Sequence, residues 1–229
     1  MGGHWTWYSL VPGLDHFPFQ ILCTATAVAI LLVLSLLVRR RYATDSLVPD
    51  GGVTLRGVTE LGIEKLLGLF QSVMGEKEGR TFFPILGALF IYIFVSNVLG
   101  LIPGFLPPTE NINTNAACAI TVFVFYNAMG FKRNGIGYLK HFAGPILWLA
   151  PLIFVLEIIG HCVRPVSLSI RLFGNMTGDH MVLSIFSDLT YAVVPVIFYG
   201  LGLFVCFIQA LVFTLLSMIY ISMATAHDH

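Results

Sequence analysis

Apolar residues dominate the chain in long blocks, and short polar clusters separate them. Segments 17–38, 81–102 and 113–131 are each long enough for one crossing, since a spanning helix needs about 20 predominantly apolar residues. The first ends at "RRRY", the second at the loop "PGFLPPTENIN", whose Pro and Asn forbid a continuing helix, and the third at "KRNG". Between the first two lies 52–76, where Leu and Ile alternate with Glu and Lys at near-helical spacing. That pattern predicts an amphipathic helix lying on the membrane surface.

Two longer blocks follow, 146–186 and 189–226. As helices they would run ~60 Å and ~50 Å, against a hydrocarbon core of about 30 Å. They must tilt steeply, kink at Pro165 or Pro195, or run partly along the membrane plane. Only "SDLT" joins them, so they form an antiparallel hairpin. The expected fold is an all-α integral membrane protein forming a single membrane domain. It has five embedded helices and one interfacial helix, the last two embedded helices forming a long, steeply tilted hairpin.

Composition agrees with a life in lipid. The 229 residues are 57% hydrophobic and only 10% charged, where soluble domains carry about 25% charged residues. No basic stretch precedes an early apolar core and no small-residue cleavage site follows one, so no removable signal peptide is expected. Cys23, Cys118, Cys162 and Cys206 all fall in apolar stretches without CxxC spacing and read as inert thiols. The net charge is formally zero, yet the 12 Lys and Arg are unevenly placed. Apart from Arg164 and Arg171, all lie between the first and second or the third and fourth blocks. By the positive-inside rule those two loops are cytoplasmic. Residues 1–16 and the "PGFLPPTENIN" loop are then outside, and the C-terminus is inside.

The polar residues of the hairpin are the anomaly. On a helical wheel Glu157, His161, Arg164, Leu168, Arg171, Asn175 and Asp179 fall within ~80° of one another. An intramembrane Arg costs about 2.5–3.5 kcal/mol on insertion scales, so this face meets a protein partner or a water-filled cavity, not lipid. Glu157 with Arg164 reads either as a tie between helices or as part of a polar path. His161, Asn175 and Gln209 have the same two readings, as interhelical hydrogen-bonders or as path residues. Arg171 stands apart, because Ser167, Leu168, Gly174 and Asn175 at i±3 and i±4 supply no carboxylate. Its guanidinium keeps its charge, and a counter-ion from another chain is the economical explanation.

"PVSLSIRLFGNMTGDH", followed by "QALVFTLLSMIYISMA", resembles subunit a of the F-type ATP synthase membrane sector. Glu157 ahead of Arg171, "FVSNVLGLIPG" and "PTENINTN" before the third block support the likeness. The resemblance implies a stator subunit of a bacterial plasma membrane. It would provide two aqueous half-channels that carry protons to and from carboxylates of a rotating c-subunit ring, and so couple proton flow to ATP synthesis. Its further implied partners are the peripheral-stalk b subunits, the F1 sector indirectly, and the bilayer. Arg171 would be the essential residue facing the ring. Glu157 would belong to the cytoplasmic half-channel, Asn175, His180 and Gln209 to the outer one, and Asn97 to a polar position in the second span. Many relatives pair a carboxylate and a His at the places of His180 and Gly202. Here Gly202 leaves half of that pair missing, with Asp179 or Asp188 as candidate replacements.

Other signals carry no function. "NMT" at Asn175 is a sequon inside the membrane, "GVTELG" lacks the Lys-Ser/Thr of a phosphate loop, and no HExxH or GxSxG occurs. The terminal "HDH" reads as a solvated tail. No cofactor, resident metal or nucleic-acid partner is expected, nor a nucleotide site or catalysis of the chain's own. The competing reading is a self-contained secondary transporter or channel, against which no inverted repeat is visible.

Overall fold

The computed structural model describes residues 18–42, 54–102, 104–105, 107–135, 150–189 and 193–225. Helices carry almost all of them, and no strand occurs among the described residues. Five helices are long and apolar enough to cross a membrane. The chain divides into two compact units, Met1–Pro108 and Thr109–His229.

In the first unit, α1 (Phe19–Tyr42), α2 (Leu55–Met74) and α3 (Glu76–Leu99) pack on one another. Helix α1 runs beyond residue 38 through Arg39 and Arg40. It buries Cys23 and Ala27 and leaves Leu32, Val33, Leu36 and Leu37 exposed. Helix α2 is capped by Thr54, whose hydroxyl accepts from the Gly57 N–H at 3.2 Å. It exposes Leu61 and Ile63 beside Glu64 and Lys65. Gly75 ends it at φ +89°, a conformation reserved for glycine. The chain then turns directly into α3, which starts at Glu76 and not at 81. Glu76 and Glu78 occupy its first turn, where carboxylates favour the positive end of the helix dipole. A methyl group on Gly79 would come within 2.9 Å of the Gln71 backbone, so glycine permits this close approach of α2 and α3. Phe70 seals the corner, fully buried and edge-on to Phe83 at 5.3 Å.

The second unit contains most of a single 3₁₀ turn, Pro108–Glu110, then α4 (Ile112–Asn134), α5 (Ala150–Leu189) and α6 (Val193–Thr225). The three α-helices pack pairwise. Helix α4 is capped by Asn111, carries Lys132 and Arg133 in its last turn, and stops at Gly135 with φ +53°. Its buried residues Asn115, Ala119, Val122 and Tyr126 recur every three or four positions. Helix α5 buries Leu168, Leu172 and Met176, and α6 buries Cys206, Ala210, Phe213, Ser217, Ile221 and Ala224 at the same periods. Phe186 stacks on Phe198 at 4.3 Å and closes the antiparallel hairpin.

With 40 and 33 residues, α5 and α6 extend ~60 Å and ~50 Å. Neither expected kink divides a helix. Pro165 lies inside an uninterrupted α5, while Pro195 occupies the first turn of α6, where its missing N–H removes no helical bond. Asp188 falls in the last turn of α5, not in a hairpin loop. Its side chain lies outside the described residues, as do residues 1–17, residues 146–149 and the terminal "HDH".

Candidate functional site

The shared wheel face on α5 resolves into separate contacts along the helix. Near the end of α5 that leaves the basic loop, Arg164 Nη2 reaches back two turns to Glu157 Oε1 at 3.7 Å. Its guanidinium also lies over the Tyr220 ring of α6, 5.1 Å from the centroid, a cation–π geometry. Between them on the same face, His161 turns to α4. Its Nε2 is 3.1 Å from Asn127 Oδ1, and the edges of Phe123 and Tyr126 enclose the ring. Asn127 Nδ2 donates to the Phe123 carbonyl at 2.8 Å, so Oδ1 is the acceptor and His161 Nε2 carries the hydrogen. This end of the stripe is therefore internally neutralised.

Arg171 is placed differently. Leu168 and Leu172 on either side are buried, yet Arg171 itself stays partly exposed. Among the described residues it forms no hydrogen bond or ion pair. The surface around it is bare. A methyl group added to Gly174 or Gly178 would meet nothing within 4 Å, and Val166 and Ile170 are more than half exposed. One turn further, Asn175 Nδ2 donates to Gln209 Oε1 of α6 at 2.5 Å. Gln209 is 5% exposed, and its Nε2 finds no acceptor among the described residues. A buried donor of this kind costs about 1–3 kcal/mol when left unmade.

At the hairpin end, His180 Nδ1 stands 3.6 Å from Glu110 Oε2, contributed by the 3₁₀ turn before α4. Among the described residues, the carboxylate in ion-pair range of His180 is thus Glu110, a group that the sequence did not single out beside Asp179 and Asp188. Asp179 lies within electrostatic range of both His180 and Cys206 of α6. Asn97 belongs to the first unit, where it is 2% exposed on α3 beside the fully buried Ser96. Among the described residues no group of three His, Cys, Asp or Glu converges as a metal site.

Sequence reading passed over Glu110 and Asn127. Glu110 lies inside the quoted "PTENINTN", and that acid in an Asn-rich turn was the available signal. Asn127 gave none, because a single Asn in an apolar helix does not reveal its partner.

Comparison with known proteins places these residues in context. The family model described as ATP synthase A chain matches residues 21–222. The chain is 46% identical over 226 residues to ATP synthase subunit a of Bdellovibrio bacteriovorus, covering 97% of this chain and 98% of that protein. It is 51% identical over 209 residues to ATP synthase subunit a of Trichlorobacter lovleyi, covering 91% and 88%. It is also 51% identical over 202 residues to ATP synthase subunit a 3 of Pelobacter propionicus, covering 88% and 85%.

Proposed function

This chain belongs to the ATP synthase subunit a family, and from that premise we propose that Arg171 is the charge against which a proton-carrying carboxyl group of a partner subunit is discharged. Membership makes the chain a stator subunit of a bacterial F-type ATP synthase and a multi-pass membrane protein of that complex. One observation carries the reading of the site: a permanent cation without a counter-ion, on a face of α5 left open by glycines. The missing charge belongs to the ring of c subunits, which meets α5 on the open surface at Gly174 and Gly178.

The chemistry follows from the guanidinium. A cation within a few ångströms favours the ionised form of an arriving carboxyl group, which gives up its proton there. Because Arg itself does not deprotonate, it passes no proton across, and the two half-channels stay separate. Glu157 serves the half-channel open to the cytoplasm, ~21 Å along α5 from Arg171. Asn175, Gln209, Asp179 and His180 serve the one open to the outside, and Asn97 is a polar proton-path position of the second span. Each proton falling through 100 mV releases about 2.3 kcal/mol, so several drive each ATP. The basic loops put the C-terminus in the cytoplasm and the N-terminus outside, and the peripheral-stalk b subunits hold the chain against the moving ring.

ATP-driven acidification of inverted membrane vesicles carrying Arg171→Ala is the test. We expect pumping to vanish while the complex still assembles. Pumping near the wild-type rate would remove Arg171 from the mechanism and the reading with it.

A further inference from the structure

We propose that Glu110 and His180 together form the proton-loading pair at the outer end of α5, with Asn115 as the residue that positions Glu110. This rests on the half-channel reading above and supplies the carboxylate that Gly202 does not.

The turn carrying Glu110 is fixed on both sides. Before it, the Thr109 carbonyl accepts from Asn115 Nδ2 at 2.7 Å, and Thr109 and Asn115 are both fully buried. After it, Asn111 caps α4: its Oδ1 accepts from the Asn113 N–H at 2.9 Å and its carbonyl from the Asn115 N–H at 3.2 Å. Asn115 thus binds the backbone on both flanks of Glu110 and folds the segment back onto the first turn of α4. The carboxyl group that results is directed at α5. Its Oε2 is closed to solvent, receives no hydrogen bond, and lies 3.6 Å from His180 Nδ1.

A buried carboxylate oxygen without a donor is costly, and a proton on either partner relieves it. The pair therefore holds one extra proton, as carboxylic acid with neutral imidazole or as carboxylate with imidazolium. Releasing that proton toward the Asn175–Gln209 level returns the pair to carboxylate and neutral imidazole, ready to reload from outside. The side chains of Glu110 and His180 are 31% and 21% exposed, so both open partly to water. Among the described residues, the other ionisable groups here are Asp179 on α5 itself, in electrostatic range of His180, and beyond it the thiol of Cys206 on α6, in range of Asp179. Along Val193–Thr225, α6 carries no charged residue, and the first turns of α4 bring only Asn and Thr.

The test uses the whole ATP synthase in inverted vesicles, with ATP synthesis driven by an acid–base jump and the lumen pH varied. Rates are normalised to assembled complex, and Arg171→Ala is run beside the variants. Glu110→Gln should lower the rate about a hundredfold. Because the two groups take up the proton together, removing one of them should also displace the lumen pH of half-maximal synthesis. Asn115→Ala keeps both titratable groups and should move the profile the same way by less, and Glu110→Asp should retain most activity. Glu110→Gln combined with His180→Gln should be no slower than the worse single variant. Either additive losses in that double variant, or a uniform loss in Glu110→Gln without a pH shift, would make Glu110 a structural residue. A wild-type Glu110→Gln profile beside an inactive Arg171→Ala would overturn this inference alone. Activity in Arg171→Ala would overturn the half-channel reading itself. If Glu110→Gln does not assemble, Glu110→Asp decides, because a shorter acid must still displace the pH profile.

Discussion

Arg164 and Arg171 stand two turns apart on one face of one helix, and their surroundings have almost nothing in common. Arg164 has a carboxylate at 3.7 Å and an aromatic face at 5.1 Å, both from the second unit. Among the described residues Arg171 has neither, although placing a lone cation within a membrane costs several kcal/mol. A chain that neutralises one arginine and leaves its neighbour bare has a use for the bare one. The contrast also separates two kinds of polar residue within a membrane. One kind satisfies itself inside the chain and fastens helices. The other is completed only by something that arrives.

Exchanging each arginine for lysine should break the symmetry between them most clearly. Lysine keeps the charge in water but shifts its pKa readily when desolvated. At position 171 it meets the incoming proton carrier, and we expect Arg171→Lys to reduce ATP-driven acidification on the order of a hundredfold, the scale for removing one preorganised electrostatic group. At position 164 the charge has only to answer Glu157, so Arg164→Lys should pump within about twofold of wild type. Equal losses at both positions would mean that the paired and unpaired arginines are not functionally distinct.

Removing the pairing altogether has a smaller effect. Arg164→Gln leaves Glu157 without its cation and Tyr220 without its cation–π partner. Both side chains of the pair are partly exposed, at 20% and 33%, and ion pairs of this kind are worth about 0–1 kcal/mol. The complex should therefore assemble normally. Pumping should fall only severalfold, because Glu157 keeps its place on α5 while losing the partner that orients it. Initial rates of acidification per assembled complex test this: a loss as deep as that of Arg171→Lys would place Arg164 in the mechanism.

How much of this contrast could be read from the chain alone depends on the range of each interaction. The five apolar helices and the absence of a carboxylate near Arg171 are local in sequence, and pattern reading reaches them. Helix ends were harder. Apolar counting stops where charge begins, at Arg39 for the first helix and at Arg80 for the second span, whereas the helices continue through these charges to Tyr42 and back to Glu76, with acids in the first turn favoured by the helix dipole. Pro165 offered a kink as one of three ways to fit so long a helix, and α5 continues through it with Leu168 and Leu172 buried beyond it. The Glu110–His180 contact was out of reach for a different reason. Helical wheels compare residues on one helix, and this pair joins a turn to a distant helix through a backbone bond made by Asn115. Asp179, next to His180 in sequence, was the natural choice by proximity, yet adjacent residues on a helix point ~100° apart.

The smallest effect concerns His161, the residue on the neutralised side whose role the contrast leaves sharpest to test. Asn127→Leu removes the acceptor of a buried N–H, and an orphaned donor costs about 1–3 kcal/mol. The thermal midpoint of the detergent-solubilised complex should drop by a few degrees, with pumping per assembled complex unchanged. Replacing both members, as Asn127→Leu with His161→Phe, removes the polar pair as a unit and should recover much of that stability, since neither group is left unsatisfied. Phe at 161 also keeps an aromatic ring between Phe123 and Tyr126. If this double variant is stable and pumps normally, His161 belongs with Arg164 among the residues that only fasten helices. A stable complex that pumps slowly would instead move His161 into the cytoplasmic half-channel with Glu157, and Arg164 would then stand as a fastening residue between two parts of the path.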